Sequence, residues 1–156
     1  MPDAGPQQDD IDAFLAWDLV RLGHGIETRL AASMAAFGLT TRQFGVLALL
    51  NAHEDLAQSD LARAVLVRPQ SIGSLVASLE RRGLVERNGP GGRGRRTSLH
   101  LTDDGCRLIA QAWAGVTADN APAALGFSES DVAQLRHVLP PALERAGQPG
   151  TVERPS

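Results

Sequence analysis

The residues with the clearest chemistry in this chain are arginines. Between Asp60 and His100 lie Arg63, Arg68, Arg81, Arg82, Arg87, Arg93, Arg95 and Arg96, against three acids, Asp60, Glu80 and Glu86. That stretch carries a surplus of five positive charges in a chain whose formal net charge is -3. The positive field is confined to one segment, and the whole-chain charge hides it. A guanidinium is a fork of N–H donors that matches phosphate oxygens and the edge of guanine. Local cations of this density bind a polyanion by releasing its counterions. A solvated basic surface would explain the charge alone, but not the pattern of elements that carries it.

Two helical patterns come first. One runs from Ser59 to Val65, with Leu61, Ala62 and Val65 inward. After the turn Leu66-Val67-Arg68, Pro69 suits a first helical position, and the next helix extends to Arg82, with Gly83 closing it. Ile72, Leu75, Val76 and Leu79 fall at i, i+3, i+4 and i+7 and must face a core. The opposite face then holds Gln70, Ser71, Gly73, Ser74, Ala77 and Ser78. It is small and polar where a solvent-facing helix usually carries long charged side chains. So lean a face lets a helix lie close to base edges: Gln70 can pair with adenine, and Ser71 and Ser74 can reach bases or phosphates.

Short strands are expected at Leu84–Asn88 and Thr97–Leu101, joined by Gly89-Pro90-Gly91-Gly92-Arg93-Gly94-Arg95-Arg96. A dinucleotide-binding glycine loop would open a helix, whereas here a strand follows. A hairpin tipped with arginine suits the narrow minor groove, with Arg95 as the groove contact and Arg93 and Arg96 on phosphates. A helix-turn-helix with a basic hairpin attached enters one groove of double-stranded DNA and braces against the next.

The rest of the composition narrows the function. All 15 basic residues are arginine, so a lysine-dependent phosphate loop, a Schiff base and a catalytic lysine are excluded. Arginine in place of lysine, with abundant alanine and glycine, suggests a GC-rich bacterial genome. Cys106 is the one cysteine, which excludes an internal disulfide and a CxxC metal pair. His24, His53, His100 and His137 are widely separated and form no zinc-site spacing, so no metal or other cofactor is expected. The start, MPDAGPQQDD, is acidic and polar, unlike a secretory signal, and no apolar run is long enough to span a bilayer. A cytoplasmic protein is the simplest inference.

Outside the basic segment the pattern is helical. Leu15, Leu19, Leu22, Ile26, Leu30, Met34 and Phe37 recur in steps of three and four, predicting one amphipathic helix from Ile11 to Phe37, capped by Asp9 or Asp10. Its apolar face exceeds what a small domain needs, so it is expected to pack on a second subunit. Thr40 or Thr41 caps a helix through Phe44, Val46, Leu47 and Leu50, and Thr102 caps another with Leu108, Ile109, Ala112, Trp113 and Val116 inward. Ser128, with Asp131 three residues on, begins a last helix with Val132, Leu135, Val138 and Leu139 inward; Pro140-Pro141 is expected to interrupt it.

The order and spacing of Leu61-Ala62, Leu75, Leu79 and Gly83-Leu84-Val85-Glu86-Arg87, followed by Leu99-His100-Leu101-Thr102-Asp103-Asp104-Gly105, resemble the MarR family of transcription regulators. The resemblance covers nearly all of residues 10–146. It implies a mainly α fold with a small β-hairpin wing, a winged helix-turn-helix over 38–102 and a helical dimerisation region over 10–37 and 103–146. Residues 1–9 and 147–156 are expected to be disordered tails. The family implies a homodimer formed by the first and last helices, assigned here to Ile11, Leu15, Leu19, Leu135, Leu139 and Leu143. It also implies a palindromic operator and often a small aromatic ligand, for which Trp17, His24 and Trp113 are pocket candidates. The chain departs from the family pattern in three places. Arg93 stands where the wing usually has aspartate. Leu66 replaces the turn glycine, and Arg68 replaces the capping serine and is thereby free to contact phosphate or base. Pro140-Pro141 is unusual in a terminal dimer helix.

The resulting expectation is a ligand-responsive repressor. The alternative is an architectural or weakly specific DNA-binding protein, whose affinity would track salt and not sequence. A protein-interaction module with a degenerate winged helix would not bind DNA even at low salt. An enzyme fits least, because neither a nucleophile elbow nor a paired acid–base spacing is present.

Overall fold

The computed structural model describes residue 5, residues 7–53, residue 56 and residues 58–88 and 98–147. Two compact units divide the chain, one ending at Asp119 and the other starting at Asn120.

The first unit opens with α1 (Gln8–Asp12) and α2 (Leu15–Ala35). The single helix expected from Ile11 is therefore broken at Ala13 and Phe14. No glycine or proline marks the break, so periodicity alone runs through it. The short α1 is held by local polar bonds. The Gln7 N–H donates to Asp10 Oδ2 (2.9 Å), and Gln8 Nε2 donates to Asp12 Oδ1 (2.9 Å). Asp10 thus acts as the third residue of a capping arrangement and not as the cap itself.

Helix α3 (Thr41–Ala52) starts as the sequence predicts. Thr40 Oγ1 accepts from the Gln43 N–H (3.2 Å), and Gln43 Oε1 accepts from the Thr40 N–H (3.0 Å), a reciprocal capping box. Next come α4 (Gln58–Ala64), α5 (Pro69–Arg81), β1 (Val85–Asn88), β2 (Ser98–Leu101) and α6 (Asp103–Asp119). The strands are antiparallel, with Val85 opposite Leu101 and Asn88 opposite Ser98. Helix α3 lies at the centre, packed on α2, α4, α5, α6 and β2. Its Val46 and Leu47 are fully buried, together with Leu61, Val76, Leu79 and Leu99 from the surrounding elements. Among the described residues, every buried side chain of this core is apolar.

Four helix ends among the described residues close through one backbone motif. A left-handed residue donates its N–H to the last turn, and the next residue reaches one position further back. The pairs are Gly38 to Ala35 with Leu39 to Met34, Leu66 to Arg63 with Val67 to Ala62, Gly83 to Glu80 with Leu84 to Leu79, and Gly126 to Ala123 with Phe127 to Pro122. Three of the left-handed residues are glycine. The fourth is Leu66, at φ 56°. A Cβ there crowds the following carbonyl and costs about 1–2 kcal/mol.

In the second unit, a 3-10 turn (Pro122–Leu125) precedes α7 (Glu129–Gly147). Ser128 and Asp131 form the expected box, with Asp131 Oδ2 accepting from Ser128 Oγ (2.6 Å) and from the Ser128 N–H (2.8 Å). The predicted interruption at Pro140-Pro141 does not occur, and α7 runs through both prolines. The two missing N–H groups leave the carbonyls of Arg136 and His137 without helical donors. Both residues are exposed, so water can serve those carbonyls. The inward face expected for α7 is also only partly covered: Val132 and Leu135 are half-buried, while Val138 and Leu139 are exposed. No described helix is long and apolar enough to cross a membrane.

Candidate nucleic-acid interface

Helix α5 presents the face the sequence predicts. Ile72, Val76 and Leu79 are buried, and Leu75 is half-buried. Gln70, Ser71 and Ser74 are exposed together on the other side, near the helix start. Arg68 is the N-cap residue, with extended backbone (φ -67°, ψ 146°) and no capping bond from its side chain. The helix is started instead by Pro69 at its first position and by the Ser71 N–H on the Arg68 carbonyl (2.8 Å). The Arg68 guanidinium is thus exposed beside Gln70 and Ser71. Ser74 Oγ bonds to the Ser71 carbonyl (2.9 Å), so it must rotate to reach a ligand. Ser78 faces α3, where its Oγ accepts from Gln43 Nε2 (3.2 Å). The lean face of α5 is therefore its first two turns, not its whole length.

One ion pair and one charge-assisted hydrogen bond fix the far end of α5. Arg87 of β1 grips Glu80 with Nε on Oε1 (2.7 Å) and Nη2 on Oε2 (3.3 Å). Arg82 Nη1 donates to the Gly38 carbonyl (3.0 Å). These two arginines fasten the helix and are structural in this chain, a role that charge counting alone does not reveal. Arg63 pairs with Asp60 on α4. Arg93, Arg95 and Arg96 lie outside the described residues.

The base of the hairpin is locked by residues from two separate motifs. Thr102 Oγ1 donates to the Gly83 carbonyl (2.5 Å) and accepts from the Gly105 N–H (3.1 Å). The Thr102 N–H donates to the Leu84 carbonyl (3.2 Å). A Cβ built on Gly105 would sit 2.1 Å from that same oxygen. The threonine and glycine of the second motif thus seat α6 on the glycine–leucine turn of the first, which orients the hairpin against α5.

A cavity of about 650 Å³ opens between α2, α3 and the end of α4. Ile26, Leu30, Met34, Phe44, Leu49 and Leu66 are among its apolar lining residues, and Glu27 and Arg42 stand in its lining as an ion pair (3.1 Å). None of the three sequence candidates for a pocket lines it. His24 borders an adjoining groove with Glu27 and Arg42. Trp17 is exposed on α2. Trp113, expected inward on its helix, is instead 53% exposed, with its ring stacked on Phe44 of the cavity wall at a centroid distance of 5.9 Å. Ile26, Leu30, Met34, Phe44 and Val65 of the lining are residues that periodicity assigns to core faces, so that part carries no signal separating it from ordinary packing.

The apolar residues named for dimerisation lie on the surface of the single chain. Ile11, Leu15, Leu19, Leu139 and Leu143 are exposed, Leu15 and Leu143 by 68% each, and Leu135 is half-buried. Phe14, Trp17, Val20 and Leu22 extend the exposed apolar surface of α2 and its entry.

A MarR family model matches residues 37–96, the segment from the end of α2 to the hairpin. The HTH-type transcriptional repressor Rv2887 of Mycobacterium tuberculosis is 33% identical over 110 residues, 70% of this chain and 79% of the relative. The chain belongs to the MarR family. Its fold matches that of solved members. The structure of Rv2887 in complex with p-aminosalicylic acid aligns with a TM-score of 0.66 at 28% identity, covering 86% of this chain and 99% of that one. CouR from Rhodococcus jostii RHA1, bound to p-coumaroyl-CoA, aligns with a TM-score of 0.72 at 28% identity, covering 91% and 97%. In MarR terms α4 and α5 are the helix-turn-helix and β1–β2 the wing.

Proposed function

We propose that this MarR-family chain is a homodimeric, sequence-specific DNA-binding repressor, acting in the bacterial cytoplasm on a palindromic operator and released by a small aromatic ligand. The observation that carries the reading is the start of α5. Arg68, Gln70 and Ser71 are exposed side by side on a helix whose other face is anchored in the core. Gln70 can bond an adenine edge, Arg68 a phosphate or a guanine, and the small serines let the helix approach. Arg93, Arg95 and Arg96 supply the wing contacts in this reading. The exposed apolar residues of α1, α2 and α7 form the dimer contact. A two-fold dimer places its paired helices on half-sites about 10 bp apart, centre to centre.

Relatives bound to p-aminosalicylic acid and p-coumaroyl-CoA support an aromatic ligand. The apolar cavity beside α2, with Arg42 in its lining, is the site assigned to it. The deciding experiment is fluorescence anisotropy on the DNA upstream of the protein's own gene against a scrambled duplex, across a salt series. A preference of about 10³-fold or more is the range of specific regulators. Equal, steeply salt-dependent binding to every duplex tried would favour an architectural role.

A further inference from the structure

Leu66 is anomalous in three respects. It is the one non-glycine residue among those described with a positive φ. The other three left-handed helix ends, at residues 38, 83 and 126, use glycine for the same pair of backbone bonds. Its side chain is also 82% exposed, the most exposed large apolar group described, so burial does not compensate the strained backbone. A strained residue that no packing supports points to a function for its side chain.

Its position supplies that function. Leu66 lines the cavity, as do Gly23 and Ile26 of α2. It is also the residue on which α4 ends and the chain turns toward Arg68 and Pro69, the start of α5. A glycine would make the turn but reach nothing in the cavity. We propose that Leu66 is the contact through which an occupant of the cavity acts on α5. The inference rests on the DNA-binding and ligand-release reading above. An apolar group entering the cavity meets the exposed Leu66 side chain. The Leu66 and Val67 N–H groups close the turn on the Arg63 and Ala62 carbonyls, so an occupant that favours one placement of the Leu66 side chain acts on the turn that those bonds hold. Arg68 and Gln70 follow directly in the chain, so their positions on DNA shift with it. A ligand shifts an equilibrium only by its differential interaction with two states, and Leu66 provides such a difference.

The test needs no knowledge of the natural ligand. Gly23→Cys places a thiol in the cavity wall where a Cβ meets no atom within 4 Å. In a Cys106→Ser background that thiol is converted to a benzyl mixed disulfide with benzyl methanethiosulfonate. The thiolate attacks the divalent sulfur that carries the benzyl group, the new disulfide bond forms as the bond from that sulfur to the sulfonyl sulfur breaks, and methanesulfinate leaves. Mass spectrometry confirms complete labelling, and a thermal melt confirms folding. Affinity is then measured for a duplex selected by the unlabelled full-length protein from a random pool, with each protein compared before and after labelling. With Leu66 present, the label should weaken binding by about tenfold or more, within the usual range of coupling between sites. In the Leu66→Gly protein the same label should change affinity by less than about twofold, and Leu66→Met should keep the response. Ala48→Cys, on the α3 wall of the cavity, repeats the measurement if the first tether perturbs folding. Equal loss with and without Leu66 overturns the coupling role, as does no loss in either protein. If the unlabelled protein selects no duplex, the DNA-binding reading fails first, and that failure is visible before any label is added.

Discussion

Arg82, just past the end of α5, donates from Nη1 to the carbonyl of Gly38, 44 residues earlier, at 3.0 Å. The bond joins the end of α5 to the turn that closes α2. The ends of α2 and α5 are thereby held to each other. Arg82→Ala should lower stability by about 1 kcal/mol, because the bond is charge-assisted but open to solvent. Urea denaturation with an unchanged slope and a lower midpoint would be the expected record.

Much of this fold was legible in the sequence, for reasons that differ between elements. Thr40, Gly38, Gly83, Thr102 and Ser128 mark element ends by local chemistry, and each does so in the structure. The hairpin follows from its two short strands and the glycine-rich stretch between them. The break at Ala13–Phe14 leaves no mark in the sequence because it uses no breaker residue. The continuity of α7 through Pro140-Pro141 was not legible because a single-residue rule overstates proline where the residues that lose a helical donor are exposed. The cavity was not legible because part of its lining is drawn from core stripes. A hydrophobic period says that Leu30, Met34 and Phe44 point inward, but not that the space they enclose is left unfilled.

Gly105 offers the sharpest steric prediction. Its Cα approaches the Leu84 carbonyl so closely that an alanine Cβ would lie 2.1 Å from a backbone oxygen. A backbone atom cannot rotate away. Gly105→Ala should cost about 3 kcal/mol or more and loosen the wing from α6. Amide exchange of β2 should accelerate along with the fall in the urea midpoint.

Leu66→Gly should act in the opposite direction on stability. Removing the Cβ from a left-handed backbone should raise the unfolding free energy by about 1 kcal/mol, although an apolar side chain is deleted. A lower melting temperature for this variant would show that the exposed leucine has packing value after all.

The wing contact is testable by comparison with a distant cation. Arg95→Ala should weaken binding to the selected duplex more than Arg145→Ala, which alters an exposed residue near the end of α7. Loss of a phosphate or minor-groove cation should also lower the slope of log affinity against log salt by about 1. Equal affinities and slopes for the two variants would remove Arg95 from the contact set.

Asp131 links the start of α7 to pH. The Ser128 hydroxyl, and after it the Ser128 N–H, hold its carboxyl below the ordinary value of 3.8. A depressed carboxyl contributes stability that is complete above its unfolded-chain value and fades as pH falls through the lower folded value. Acidification below about pH 4 should therefore fray the first turn of α7. Ser128→Ala should return the Asp131 titration, followed by carboxyl-carbon NMR, toward the ordinary value.

The exposed apolar residues of α1, α2 and α7 carry a consequence for dosage. If chains pair through these faces as proposed, folding stability and DNA affinity both draw on association, and both rise with chain concentration. A cell that halves its supply of this protein then loses more than half of its paired regulators while dimers are scarce. Control of the target gene becomes steeper than linear in the amount of protein made, without any ligand being involved.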